Sequence, residues 1–142
     1  MSFLTEAPTY VVSLYFRKIV VPVDGSETSL KALLVAADLA LHYGSKVTVI
    51  NARPRGLKEG EDPLVKAKDK LKNLPITVAY KSVEYDPFNE SPQAVLIREI
   101  VNEGYDLIVV GARGRTWLSE LSLGGVALSL GVNTLVSLLI VR

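Results

Sequence analysis

The chain contains no cysteine. A disulfide framework, a thiolate zinc site and a cysteine redox centre are all excluded. Histidine is nearly as scarce. His42 is the single imidazole, so a multi-histidine metal site cannot be built, and neither a Ser-His-Asp nor a Cys-His catalytic set is apparent. An excess of either charge is also missing, because 16 Lys and Arg face 15 Asp and Glu for a net charge of +1. Without a basic tail or stripe the sequence offers no nucleic-acid footprint. A secretory leader is not apparent either. The N-terminus has no early positive charge, and Glu6 and Pro8 precede a short β-prone run from Tyr10 to Phe16. A cytoplasmic protein is expected.

Apolar residues are abundant. They make up 49% of the 142 residues, enough for one domain with a sizeable core. The most apolar stretch, Leu121 to Val141, carries no charge and is long enough for a membrane span. A span needs one continuous helix. Here Gly124, Gly125, Ser129, Gly131, Asn133 and Ser137 interrupt the run. Asn133-Thr134 divides it into a helix-like half and a β-branched half, Leu135 to Val141. A buried helix followed by a buried strand is expected, with no membrane contact.

The remaining sequence alternates strand and helix. Lys18 to Val23 reads as a first strand. Ser26 can cap a helix that runs to Tyr43, with Glu27 in its first turn and Gly44 as its stop. Leu30, Leu33, Leu34, Ala37 and Leu41 fall on one face of that helix. Lys46 to Asn51 is a second strand, and Pro54 to Pro63 a charged loop containing Glu59, Glu61 and Asp62. Leu64 to Leu71 is a short lysine-rich helix whose Lys66, Lys68, Lys70 and Lys72 suit a solvated face. Ile76 to Tyr85 is a third strand, and Asp86 to Glu90 a turn. Ser91-Pro92 opens a helix with a cap and a proline at its first position. Val95, Leu96, Ile100 and Val101 form its stripe, and Gly104 ends it. Tyr105 to Val110 is a fourth strand. An apolar helix around Val126 to Val132 and a last strand, Leu135 to Val141, complete the pattern. Five apolar strands separated by helices imply an α/β fold with an open parallel sheet covered on both faces. Residues 18–142 form this unit, and residues 1–17 are an N-terminal extension.

Two strand ends carry the candidate chemistry. After Leu107-Ile108-Val109-Val110 come Gly111 and Gly114 and, further on, Gly124-Gly125. This is neither a Walker A loop nor the Gly-x-Gly-x-x-Gly fingerprint. The glycines let backbone N–H groups converge beyond a strand, and Gly124-Gly125 sit at the start of a helix, where an anion is favoured. Arg113 or Arg115 can add charge. The same glycines can also serve only tight turns and close helix–strand packing. Asp24, after the first strand, can accept hydrogen bonds from a base amine or a ribose, or can simply hold the turn before the Ser26 helix. The spacing leaves both pairs of alternatives open.

Two segments resemble the universal stress protein family. Lys18-Ile19-Val20-Val21-Pro22-Val23-Asp24-Gly25-Ser26 is similar to its opening strand and turn. Asp106-Leu107-Ile108-Val109-Val110-Gly111-Ala112-Arg113-Gly114 is similar to its fourth strand and loop. The family's nucleotide binders carry Gly, two residues, Gly, nine residues, then Gly with Ser or Thr, a spacing kept by Gly111, Gly114 and Gly124. The resemblance runs from about Lys18 to Arg142. It implies a Rossmann-like sheet of order 3-2-1-4-5 that binds ATP, ADP or AMP, with Mg²⁺ accompanying a triphosphate. By motif position, Pro22, Val23, Asp24 and Ala52 are expected at the base and ribose. Val110, Gly111, Arg113, Gly114, Gly124, Gly125 and Val126 are expected around ribose and phosphates. It also implies a homodimer through Leu135 to Val141 and a regulatory role in stress response. With no Ser-His-Asp or Cys-His set, an efficient catalyst is not expected, and slow ATP hydrolysis stays open.

There are departures from the family pattern. Gly125 stands where binders carry Ser or Thr, Ser137 stands where a proline is common, the Pro54 to Leu74 region is short, and residues 1–17 are extra. Trp117 suits packing or an interface, and His42 a solvent-facing or capping place. A non-binding dimeric interaction protein of the same fold is the competing expectation. A phospho-accepting receiver is set aside because Asp24 has no acidic neighbour before it, and flavin chemistry has no sequence feature behind it.

Overall fold

The computed structural model of the chain describes residues 16–56, 62–111 and 136–142. Strand β1, Lys18–Pro22, is buried from Ile19 onward. A strand with no face to offer water needs cover on both sides. Ile19 and Val21 pack into one apolar cluster and Val20 into another, as the two-residue period of a strand requires.

Helix α1, Glu27–Tyr43, follows as expected. The Ser26 hydroxyl accepts from the Ser29 N–H at 3.2 Å and satisfies one of the free donors of the first turn. At the other end Gly44 adopts φ 70°, a left-handed cap that glycine takes without steric cost, and its N–H donates to the Ala40 carbonyl. The buried face differs from the expected stripe. Ser29, Ala32, Leu33, Ala36, Ala37 and Ala40 face the sheet, whereas Leu34 and Leu41 are each 45% exposed. The small residues let the helix sit close to the strands, and the leucines are turned to its flank.

Strand β2, Lys46–Pro54, outruns the expected end at Asn51. It does so because β3, Thr77–Tyr85, pairs with it along its whole length, from Lys46↔Thr77 to Pro54↔Tyr85. Helix α2, Pro63–Leu71, starts one residue early. Asp62, expected in the charged loop, caps it by accepting from the Leu64 N–H at 3.0 Å. Helix α3, Pro92–Glu103, is capped by Ser91, which accepts from the Ala94 N–H, and closed by Gly104. Strands β4, Leu107–Gly111, and β5, Ser137–Val141, complete the sheet.

All five strands are parallel, in the order β3-β2-β1-β4-β5. The cluster around Ile19, Val21, Val47, Val49, Leu107 and Val109 packs under α1 and α2. The cluster of Val20, Ile50, Ile108 and Val110 packs under α3 through Leu96 and Ile100. The expected sheet order and the two-sided helical cover are both present. The expected helix around Val126 to Val132 and the Tyr10–Phe16 run, except Phe16, lie outside the described residues. Among the described residues no helix is long and apolar enough to cross a membrane.

Candidate functional site

The site is built where the sheet changes direction. From β1 the chain moves through α1, on one face, to β2. From β3 it returns through α3, on the other face, to β4. β1 and β4 are therefore neighbours whose connections leave in opposite senses, which opens a crevice at their C-terminal ends.

The hydrogen-bond ladder shows this opening directly. β1 pairs with β2 as far as Pro22↔Ile50, and β4 with β5 as far as Gly111↔Val141. Between β1 and β4 the paired residues are Ile19↔Leu107 and Val20↔Ile108. Pro22 supplies the reason. The Arg17 carbonyl and the Val23 N–H bond to β2, and the Lys18 carbonyl bonds to Asp106 at the start of β4. Backbone groups alternate in direction along a strand, so Pro22 is turned toward β4. It has no N–H with which to form the next rung.

Beyond β1 the chain turns through Asp24 and Gly25. Gly25 takes φ 84°, a conformation that favours glycine. The Asp24 carboxylate accepts from the Ser26 N–H at 2.9 Å, and the Ser29 hydroxyl donates to the Ser26 carbonyl at 2.9 Å. Asp24 is exposed at the rim while it holds this turn. Across the crevice, Gly111 lies against α1. A Cβ there would come within 2.6 Å of the Thr28 carbonyl carbon and oxygen and 2.9 Å of the Ser29 nitrogen. Gly111 is thus required for helix–strand contact, one of the two readings its spacing left open.

The other expected site residues divide by position. Pro22, Val23 and Val110 are buried, and the Val23 and Val110 side chains belong to the two core clusters. Whatever they present to the crevice is backbone. Ala52 is half-buried on the α3 face of β2. The fold brings Pro22, Val23, Asp24, Val110 and Gly111 to one rim, with Ala52 on the adjoining wall of β2. Arg113, Gly114, Gly124, Gly125 and Val126 lie outside the described residues, as does Trp117. No group of three or more His, Asp or Glu side chains that could hold a metal occurs among the described residues.

Asn51 was not singled out by the sequence. It is 4% exposed, and its side-chain oxygen has no hydrogen-bond partner. A polar residue directly after Val49-Ile50 and before Ala52, within β2, is the signal that points to it.

Comparisons with known proteins agree with this architecture. The universal stress protein YxiE of Bacillus subtilis is 30% identical over 154 residues, spanning 89% of this chain and 99% of that protein. A solved universal stress protein in complex with cAMP superposes with a TM-score of 0.64 at 22% identity, covering 90% of this chain and 98% of that one. The universal stress protein from Archaeoglobus fulgidus in complex with dAMP gives 0.58 at 18% identity, covering 90% and 99%. At such identities the solved structures speak for the fold. The model of the universal stress protein family itself matches residues 15–142, and on that match this chain belongs to the universal stress protein family.

Proposed function

We propose that the protein binds an adenine nucleotide at the rim between β1 and β4 and acts as a regulatory module without efficient catalysis of its own. The observation that carries this reading is the unpaired stretch beyond Val20↔Ile108, set between the Asp24 turn and Gly111. An open ladder at a switch point leaves backbone donors and acceptors for a ligand. The complexes of related proteins with cAMP and dAMP support an adenine nucleotide as that ligand.

In this reading Pro22, Val23, Asp24 and Ala52 surround base and ribose, and Val110 and Gly111 lead toward the phosphates. Arg113, Gly114, Gly124, Gly125 and Val126 hold the phosphates. ATP with Mg²⁺ is the proposed physiological form, with the phosphates rather than a protein cluster holding the metal. The module works in the cytoplasm as a homodimer through Leu135 to Val141. Calorimetric titration of nucleotide-free protein with AMP, ADP and Mg-ATP tests it. Saturable heat with adenine nucleotides is expected, and a flat titration with all three overturns it.

A second reading has two observations in its favour. Gly111 is explained by contact with Thr28 and Ser29, and Asp24 has a place in the α1 turn. On that reading the protein is a dimeric interaction module that binds no nucleotide, and the flat titration is its signature.

A further inference from the structure

The buried row of α1 reads Ser29, Ala32, Leu33, Ala36, Ala37 and Ala40. Ser29 is the one polar side chain in it, and it is 4% exposed. Alanine is the stronger helix former, and a serine that bonds back to a preceding carbonyl competes with the helix. Neither propensity nor burial accounts for a hydroxyl at this place, so its contacts must. The hydroxyl donates to the Ser26 carbonyl at 2.9 Å and accepts from the Asp24 N–H at 3.4 Å. A hydroxyl does both at once, whereas the alanine found elsewhere in the row does neither. It therefore ties together the two ends of the turn that leaves β1, with Gly25 between them. On the other side, a Cβ on Gly111 would lie 2.9 Å from the Ser29 nitrogen. The backbone of Ser29 thus abuts the end of β4. One residue stands between the two rims of the crevice, the Asp24 turn and Gly111.

We infer that Ser29 is a positioning residue for the nucleotide. It touches no ligand, and it holds the Asp24 turn at a set distance from Gly111 before one arrives. This rests on the nucleotide reading above and names what preorganises its rims. A turn already held in its bound form loses less freedom on binding. The Asp24 carboxylate holds the same turn from outside, by accepting from the Ser26 N–H at 2.9 Å. That carboxylate has two claims on it, the turn and a ribose. The Ser29 hydroxyl reaches only backbone groups, so its bonds persist when the carboxylate turns to a ligand. On the β4 side the contact is backbone against backbone, with no flexible side chain to absorb a shift. Ser29 thereby frees Asp24 for the ligand without releasing the turn.

The test titrates adenosine and AMP into wild type, Ser29→Ala, Asp24→Ala and the double variant. Ser29→Ala should weaken both ligands alike by about fivefold, the value of one net hydrogen bond. Its empty form should melt within about 4 °C of the wild type, since water can reach the exposed Asp24 turn and alanine favours the helix. In the Asp24→Ala background the same change should weaken binding by less than about twofold, because the carboxylate it positions is gone and the two effects are coupled. Ser29→Cys, similar in size and a weak hydrogen-bond former, gives the same comparison if the alanine does not fold. Unchanged affinity in Ser29→Ala overturns the inference. So does an equal loss with and without the Asp24 carboxylate, which is the mark of a general effect on the fold. If the wild type binds neither ligand, the nucleotide reading itself falls and this inference falls with it.

Discussion

Gly111 and Thr28 are in backbone contact: a Cβ on Gly111 would lie 2.6 Å from the Thr28 carbonyl. The contact fixes the end of β4 to the first turn of α1, where neither side is a flexible side chain that could yield. Gly111→Ala must therefore push the helix or the strand aside. A loss of about 1–3 kcal/mol is expected, as for other overpacked sites. Urea denaturation measures it. A variant as stable as the wild type would mean that the contact relaxes freely.

Pro22→Val tests the opening itself. Valine restores a β4-facing N–H and allows the ladder to continue past Val20↔Ile108. Stability should change little. The added hydrogen bond contributes about 1 kcal/mol, and removing proline from the unfolded chain costs about 0.4–1 kcal/mol. Nucleotide affinity should fall, because the ligand would compete with the new rung. Unchanged affinity would place the nucleotide away from the unpaired stretch.

The value of Pro22 was hidden in the sequence, although its position was not. The strands and helix caps were legible because each has a local cause: apolar runs, Ser26, Ser91, Gly44 and Gly104. The sheet order came from the family resemblance, and the end of β2 was placed three residues short. The direction of the Pro22 backbone depends on which neighbour each residue bonds, and only the assembled sheet fixes that. The α1 face failed for a similar reason. The expected stripe of Leu30, Leu33, Leu34, Ala37 and Leu41 holds at Leu30, Leu33 and Ala37 but fails at Leu34 and Leu41, because the approach of β4 at Gly111 favours the alanine side. Asn51 shows the same limit, since a polar residue late in a strand acquires meaning only when its oxygen is seen to be unpaired. The far part of the site, from Arg113 to Val126, lies outside the described residues.

Asp24→Ala and Asp24→Asn separate the two uses of this residue. Asparagine keeps an oxygen for the Ser26 N–H and should hold the turn, whereas alanine loses that hydrogen bond and about 0.5–1.5 kcal/mol. If the carboxylate also serves the ribose, both variants weaken adenosine and ATP alike. If only the melting temperature of the alanine variant moves, Asp24 is confined to the turn.

Stability should fall in acid through the β3–α3 turn. The Phe88 N–H, and next the Asn89 side chain, hold the Asp86 carboxyl below its ordinary range. The Asp86 N–H, and next Arg98, do the same for Glu90. A carboxylate with a lowered folded pKa stabilises the fold above its unfolded pKa, and the contribution is lost as pH falls through the folded value. Both groups lie half-buried at the surface, where solvent screens them, so the effect is small. Wild type should melt above Glu90→Gln at neutral pH, with the gap closing below about pH 4, the ordinary carboxylate range. A gap independent of pH would remove the charge from the explanation.

The last prediction concerns which sheet edge meets a second copy. Among the described residues the edges of the sheet are β3 and β5. β3 carries Lys81 and Glu84, and Lys81 is held by Glu99 and Glu103 of α3. Charges along an edge discourage further pairing. β5 reads Ser-Leu-Leu-Ile-Val, without charge. Leu138 and Leu139 are 37% exposed and Ile140 48%, so apolar surface faces outward on both sides of the same strand. An uncharged edge with leucine on both faces is suited to a self-complementary contact across a two-fold axis. Val136 is a poor probe of that contact, because it packs against the α3-side core. Leu138→Lys with Ile140→Lys keeps the core intact and places two charges on the edge strand. The double variant should be a soluble monomer in light scattering, at a concentration where the wild type is expected to run as a dimer. Glu84→Leu on β3 should leave the wild-type mass unchanged. A lysine variant that still runs as a dimer would move the interface off β5.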